Sequence, residues 1–268
     1  MTVVGRRLGL VLGVLAVGAL AGMVTLKYQA PAAAQEKASG RITAEDLKGI
    51  DPDVLGRFIR QYMLDNPEII MQAAQRLQQD QRTRSQAAQK SALAENRDAV
   101  FKDPRAPSLG PEDAAITVVE FFDYECGYCR KSLPAVQALI AANPDIRFVF
   151  KEFPILADTS VEAAKAALAA HEQGAYQEYH AALMSHGGRK QDAVLVRLAK
   201  EVGLDVEAFN EARNSGRYDA YLESTRELAA ELGIRGTPAF IVGDEILPGA
   251  LGQAALQRAV DTAREDAS

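Results

Sequence analysis

The chain of 268 residues has two cysteines, and they stand three positions apart in Cys126-Gly127-Tyr128-Cys129. They follow Ile116-Thr-Val-Val-Glu-Phe-Phe122, an apolar run that predicts a buried strand, and they open a segment that predicts a helix. A thiol at that junction meets the free N–H groups and the positive dipole end of the helix, and both favour the nucleophilic thiolate. A purely structural disulfide closing so short a loop would remove little unfolded-state entropy, worth about 2 kcal/mol. Redox exchange is the chemistry this spacing points to, with a two-thiolate metal clip as the alternative. A four-thiolate zinc site within one chain is excluded, because there is no second pair of cysteines. Glu120, six residues before Cys126, lies inside the apolar run. It is either an edge carboxylate facing water or a buried acid that moves protons during thiol exchange, since burial raises a carboxyl toward the working range.

The elements that must position these groups are legible as periodicity. Arg147-Phe-Val-Phe-Lys151 predicts a second strand, and Pro238-Ala-Phe-Ile-Val242 with Glu245-Ile-Leu247 predicts a hairpin about Gly243-Asp244. Helices are expected at Ser160–Ala170, Tyr176–Met184, Asp192–Val202, Val206–Asn214, Tyr218–Leu232 and Gly252–Ala267. Pro134 should kink the cysteine helix by removing a backbone donor. The fold class is α/β: a sheet carrying an inserted helical subdomain at about 156–232 and preceded by an N-terminal α-helical region. That region, 35–103, is expected to hold a helix over 51–65 and another from Pro67, after an Asn66-Pro67-Glu68 cap. Beyond Leu77 the stretch Gln78–Lys90 is almost wholly polar, which suits a solvated stalk. Lys102-Asp-Pro-Arg-Ala-Pro107 marks a boundary, with the main domain at 104–268. Two short helices over 51–77 present more Phe, Ile, Tyr and Met than they can bury between them, which predicts association with further copies of the chain.

The first 34 residues decide the compartment. Arg6-Arg7 precedes an uncharged apolar stretch from Leu8 to Leu26, and Ala32-Ala33-Ala34 offers a small-residue cleavage site. This is an export signal, either cleaved to release a soluble protein or retained as an anchor through residues 8–26. Either outcome places the cysteines outside the reducing cytosol, where disulfides turn over. The net charge of −6 becomes more acidic once Arg6, Arg7 and Lys27 are set aside with the signal, which argues against a nucleic-acid partner. His171, His180 and His186 lack ligand-like spacing and read as surface or insert residues, so no metal site is expected.

Three motifs in order, Phe121-Phe-Asp-Tyr-Glu-Cys-Gly-Tyr-Cys129, Lys151-Glu-Phe-Pro-Ile155 and Gly236-Thr-Pro-Ala-Phe240, resemble the DsbA-like branch of the thioredoxin superfamily over about residues 104–268. Residues 41–100, through patterns such as Tyr62-Met-Leu-Asp-Asn-Pro-Glu-Ile-Ile70, resemble the N-terminal helical region of ScsC-type periplasmic proteins. The resemblance implies a thioredoxin-like sheet and no cofactor. It makes Cys126 the attacking thiol and Cys129 the resolving one, Glu120 the proton-handling acid, Lys151 its basic partner, and Thr237-Pro238 a cis-proline loop that binds an extended client segment. Gly127-Tyr128 and Thr237 are similar to disulfide isomerases of the DsbC type. The expected function is an exported thiol–disulfide oxidoreductase, with isomerase or reductase favoured over primary oxidase. Its partners would be exported client proteins with cysteines, a membrane redox partner, and copies of itself, with a trimer favoured. A periplasmic Cu(I)-binding protein is the alternative, the two thiolates acting as soft ligands.

Overall fold

The computed structural model describes residues 42–43 and 45–267; the export signal or anchor read at 1–34 lies outside them. The chain divides into two compact units, Met1–Ile70 and Met71–Ser268. In the first, helix α1 (Pro52–Asp65) starts where the Asp51 side chain accepts the backbone N–H groups of Asp53 and Val54 and Pro52 occupies the first turn. None of its residues is buried, and Phe58 and Leu64 are 65 % and 69 % exposed. Asn66, expected to cap the following helix, instead closes α1, its side-chain amide donating to the Tyr62 carbonyl at 2.8 Å.

Helix α2 (Glu68–Glu95) is polar along most of its length and buries Leu93. The short helix α3 (Arg97–Phe101), which the sequence did not announce, places Val100 fully in the core. Leu93 and Val100 both lie in the hydrophobic core of the second unit, which begins at Met71.

The second unit is built on a five-stranded sheet of order β1-β3-β2-β4-β5, from β1 (Ser108–Leu109), β2 (Thr117–Phe122), β3 (Arg147–Glu152), β4 (Ala239–Val242) and β5 (Glu245–Pro248). β2 and β3 pair in parallel, and the other pairs are antiparallel. β2, β3 and β4 are buried almost throughout, as expected of inner strands covered on both faces. Between β2 and β3 runs the cysteine helix α4 (Gly127–Ala142), continuous through Pro134. Between β3 and β4 lie five helices: α5 (Asp158–Glu172), α6 (Tyr176–Ser185), α7 (Asp192–Glu201), α8 (Val206–Asn214) and α9 (Asp219–Glu231). The closing helix α10 (Gln253–Asp266) packs on α4 and β4. Alanine-rich α5 buries Ala163, Ala164, Ala166, Ala167, Ala169 and Ala170, small side chains that let α6 and α8 approach closely.

β1 is held by a close backbone approach. Gly110 has φ +86°, and a Cβ placed on it would stand 2.1 Å from the Ile146 carbonyl oxygen. Gly110→Ala should therefore cost about 3 kcal/mol, as strain and collision combine. A urea midpoint equal to that of the unmodified chain would contradict the tight register of β1 on β3.

Candidate active site

Cys126 is the N-cap of α4, in extended backbone, and its Sγ accepts the Cys129 backbone N–H at 3.4 Å. This follows from the local sequence: β2 ends at Phe122, Asp123 accepts the Cys126 N–H through its carbonyl at 3.1 Å, and the helix begins one residue after the thiol. The second contact of Sγ is with the loop before β4, where it donates to the Thr237 carbonyl at 3.2 Å. The Thr237–Pro238 peptide is cis. Antiparallel pairing of Phe121 with Ala239 carries this loop to the end of β2, beside the cysteines. Behind it lies a cavity of about 370 Å³ lined by Ile234, Thr237, Pro238 and Ile246, with Gln89 of α2 at its wall.

Both cysteines are free thiols, and their exposures of 5 % and 2 % separate them little. Their surroundings differ more. Cys129 sits in the first turn, where burial drives its thiol well above the ordinary range, offset in part by a backbone hydrogen bond with Asp123. Cys126 instead has a helix-end N–H, that of Cys129, aimed at its sulfur. Tyr128, between them, is 64 % exposed, with Lys131 Nζ 5.4 Å from its ring centroid.

Glu120 is buried, and burial followed by the charge of Cys126 pushes its carboxyl up to about 8. Glu120 in turn helps to raise Cys129, so the acid and both sulfurs share one electrostatic site. Lys151, read as the basic partner of this acid, is not brought to it. In the parallel register Glu120 faces Phe150 and Phe121 faces Lys151, so the pleat sends Glu120 and Lys151 to opposite faces of the sheet. On its own face Lys151 donates to the Ala99 carbonyl at 2.7 Å and lies 3.6 Å from Asp103. Burial lowers its ammonium to about 8 while Asp103 pulls it back up. Lys151 thus fastens the segment around α3 to the sheet.

The sequence reading missed a second buried acid. Glu152 shares the Glu120 face, and its Oε1 accepts the hydroxyls of Tyr124 at 3.1 Å and Tyr176 at 2.9 Å. Burial raises it well above the usual carboxylate range, the tyrosine hydroxyls opposing. His180 completes the cluster, its Nδ1 3.0 Å from the Tyr124 hydroxyl. Of the surface or insert positions expected for the histidines it takes an insert one, buried, and burial lowers it to about 3. A carboxylate one residue past the predicted strand and a tyrosine at the start of a predicted helix were the available signals.

Residues 117–261 match the DSBA-like thioredoxin domain, and residues 53–83 match the N-terminal domain of the copper resistance protein ScsC. A thioredoxin-like oxidoreductase from Silicibacter pomeroyi superposes with a TM-score of 0.61 at 46 % identity, covering 63 % of this chain and 98 % of that one. BcfH of Salmonella enterica Typhimurium superposes with a TM-score of 0.70 at 30 % identity, covering 87 % of this chain and all of that one. Among curated proteins, the Na(+)/H(+) antiporter NhaA 3 of Salinispora tropica is 35 % identical over 159 residues, which is 58 % of this chain and 24 % of the antiporter. The chain thus matches about a quarter of the length of such relatives.

The raised Glu120 carboxyl has a consequence for stability. Between its ordinary value of 4.5 and about 8 the folded chain holds a proton there that the unfolded chain has released. That contribution is complete below 4.5 and is lost as pH rises through 8. Glu120→Gln should remove this dependence, leaving the variant close to the unmodified chain at pH 4 and more stable than it at pH 9 by urea denaturation. Parallel pH–stability curves for the two would place the carboxyl in water.

Proposed function

Because this chain belongs to the DSBA-like thioredoxin domain family, we propose that it is a thiol–disulfide oxidoreductase of exported proteins, acting as an isomerase or reductase more than as a primary oxidase. The observation that supports this best is the placement of Cys126 Sγ between the Cys129 N–H at 3.4 Å and the Thr237 carbonyl at 3.2 Å. The Cys126 thiolate attacks one sulfur of a client disulfide. That S–S bond breaks, the displaced client sulfur leaves as a thiolate, and a mixed disulfide forms. In reduction, Cys129 gives up its proton and attacks Cys126 Sγ, which releases the second client thiol and leaves the Cys126–Cys129 disulfide. Glu120, whose carboxyl is raised to about 8, gains and loses a proton close to neutral pH and in its ionised form takes the Cys129 proton. In isomerisation a second client thiolate attacks the mixed disulfide and returns Cys126 unchanged. Thr237 and Pro238 hold the client as an extended segment against the loop edge. Lys151, on the other face of the sheet, takes no part.

Three features favour isomerase or reductase chemistry. Gly127-Tyr128 brings no histidine between the cysteines to stabilise the thiolate further. Threonine precedes the proline. Helix α1 has no buried residue and exposes Val54, Phe58, Ile59 and Leu64, a surface for copies of the chain to cover. A trimer assembled there would hold several sites around one client and raise their effective concentration. The first 34 residues point to a periplasmic setting, with the chain released or anchored, and a membrane protein would restore the redox state of the pair. A Cu(I)-binding role draws on the match to the copper resistance protein, but that match spans 53–83, where there is no cysteine.

Scrambled ribonuclease refolded beside reduced ribonuclease tests the reading: activity should return from both, and return from the reduced form alone would overturn the isomerase assignment. Phe58→Asp combined with Ile59→Asp should give a monomer by light scattering that still oxidises dithiols but recovers scrambled ribonuclease at least fivefold more slowly. Unmodified protein that is already monomeric at micromolar concentration would sink the assembly. Cutting the chain at residue 100 would be a poorer test, because it removes Leu93 and Val100 from the core.

A further inference from the structure

The three residues before the nucleophile each send a side chain to a different anchor. Asp123, 1 % exposed, accepts the Glu125 N–H at 2.7 Å through Oδ1, and through Oδ2 the N–H groups of Ile155 and Leu156 at 2.8 and 3.0 Å. Tyr124 reaches Glu152 and His180, as described above. Glu125 turns its Oε1 to the hydroxyl of Thr159 at 2.7 Å and to the backbone N–H of Lys190 at 2.8 Å. Thr159 lies in the first turn of α5, and Lys190 lies in the loop between α6 and α7. Glu125 therefore draws two separate parts of the helical insert onto the residue covalently joined to Cys126.

The Lys190 side chain makes this leg more than a loop contact. Its ammonium is fully buried and donates to the carbonyls of His186 at 3.2 Å and Gly188 at 3.1 Å, with Glu125 Oε2 4.0 Å away. A buried cation needs a compensating charge, and among the described residues Glu125 is the acid paired with it. The mechanism above uses neither residue.

We propose that Glu125 is a positioning residue for Cys126: with Asp123 and Tyr124 it ties the turn that carries the nucleophile to the helical insert, so the insert as well as the sheet sets where Sγ stands. Sγ has to meet a helix-end N–H and the Thr237 carbonyl at once, and both contacts are lost if the turn drifts by an ångström. This inference rests on the reading of Cys126 as the attacking thiol.

The test compares Glu125→Gln with Glu125→Ala in the full-length reduced protein. Both remove the same charge, and Gln alone keeps an oxygen for the Thr159 hydroxyl and the Lys190 N–H. Iodoacetamide labelling at pH 7, mapped by mass spectrometry, gives the rate at Cys126. Glu125→Gln should label at least fivefold faster than Glu125→Ala. Equal rates in two folded variants that differ only in melting temperature would overturn the proposal and leave Glu125 a merely structural residue. Should Glu125→Ala fail to fold, Thr159→Val removes one donor and no charge. It should label at least twofold more slowly than the unmodified chain, with Thr159→Ser restoring the rate, and a Thr159→Val rate equal to the unmodified one would overturn the proposal equally. Labelling of Cys129 ahead of Cys126 in the unmodified protein would instead overturn the underlying assignment of the attacking thiol.

Discussion

The interaction on which the rest of this structure depends is the seating of one sulfur atom at the start of one helix. Cys126 Sγ receives the Cys129 N–H and touches the Thr237 carbonyl, contacts contributed by chain segments more than a hundred residues apart. The strand order explains how they meet. β2 delivers the chain to the helix start, and β4, antiparallel beside it, begins where β2 ends, so the loop before β4 abuts the turn after β2. A thiol placed there accepts one helix-end N–H on one side and donates to a carbonyl on the other.

Burial then assigns different roles to groups that are chemically alike. Cys129 is one turn from Cys126, yet burial holds it as a thiol. Glu120 and Glu152 point to the same face of the sheet from neighbouring strands, and both are raised by burial. Glu152 is occupied by two tyrosine hydroxyls and belongs to a polar cluster under the insert. Glu120 is coupled instead to the sulfurs, which is the ground for proposing it as the proton-transfer acid. A buried carboxyl without a cation remains neutral at modest cost, whereas the same group charged would be far more expensive.

Much of this could be read from residue order. Alternation and apolar runs located β2, β3, β4 and β5 within a residue or two, and helical periodicity located α4 to α10, because these patterns record which side chains face a core. The cysteine pair and the proline loop were legible as motifs. Other features depend on register or on distant partners and leave no periodic trace. Lys151 and Glu120 were expected as a pair; which face each takes depends on which residue of β2 lies beside which of β3, and that is known only once the strands pair. β1, two residues long, is too short to show a pattern. The Glu125 contacts with Thr159 and Lys190 span 34 and 65 residues, and nothing local marks them. His180 gave no local sign of burial because its partner, Tyr124, is 56 residues earlier.

The account stands most directly on which sulfur a client meets first. Cys126→Ser and Cys129→Ser variants, each incubated with a disulfide-bonded client and examined by non-reducing gel and mass spectrometry, decide it. Cys129→Ser should accumulate a mixed disulfide joined through Cys126, while Cys126→Ser should form none and lose all thiol exchange. A mixed disulfide that accumulates through Cys129 in the Cys126→Ser variant would contradict the account.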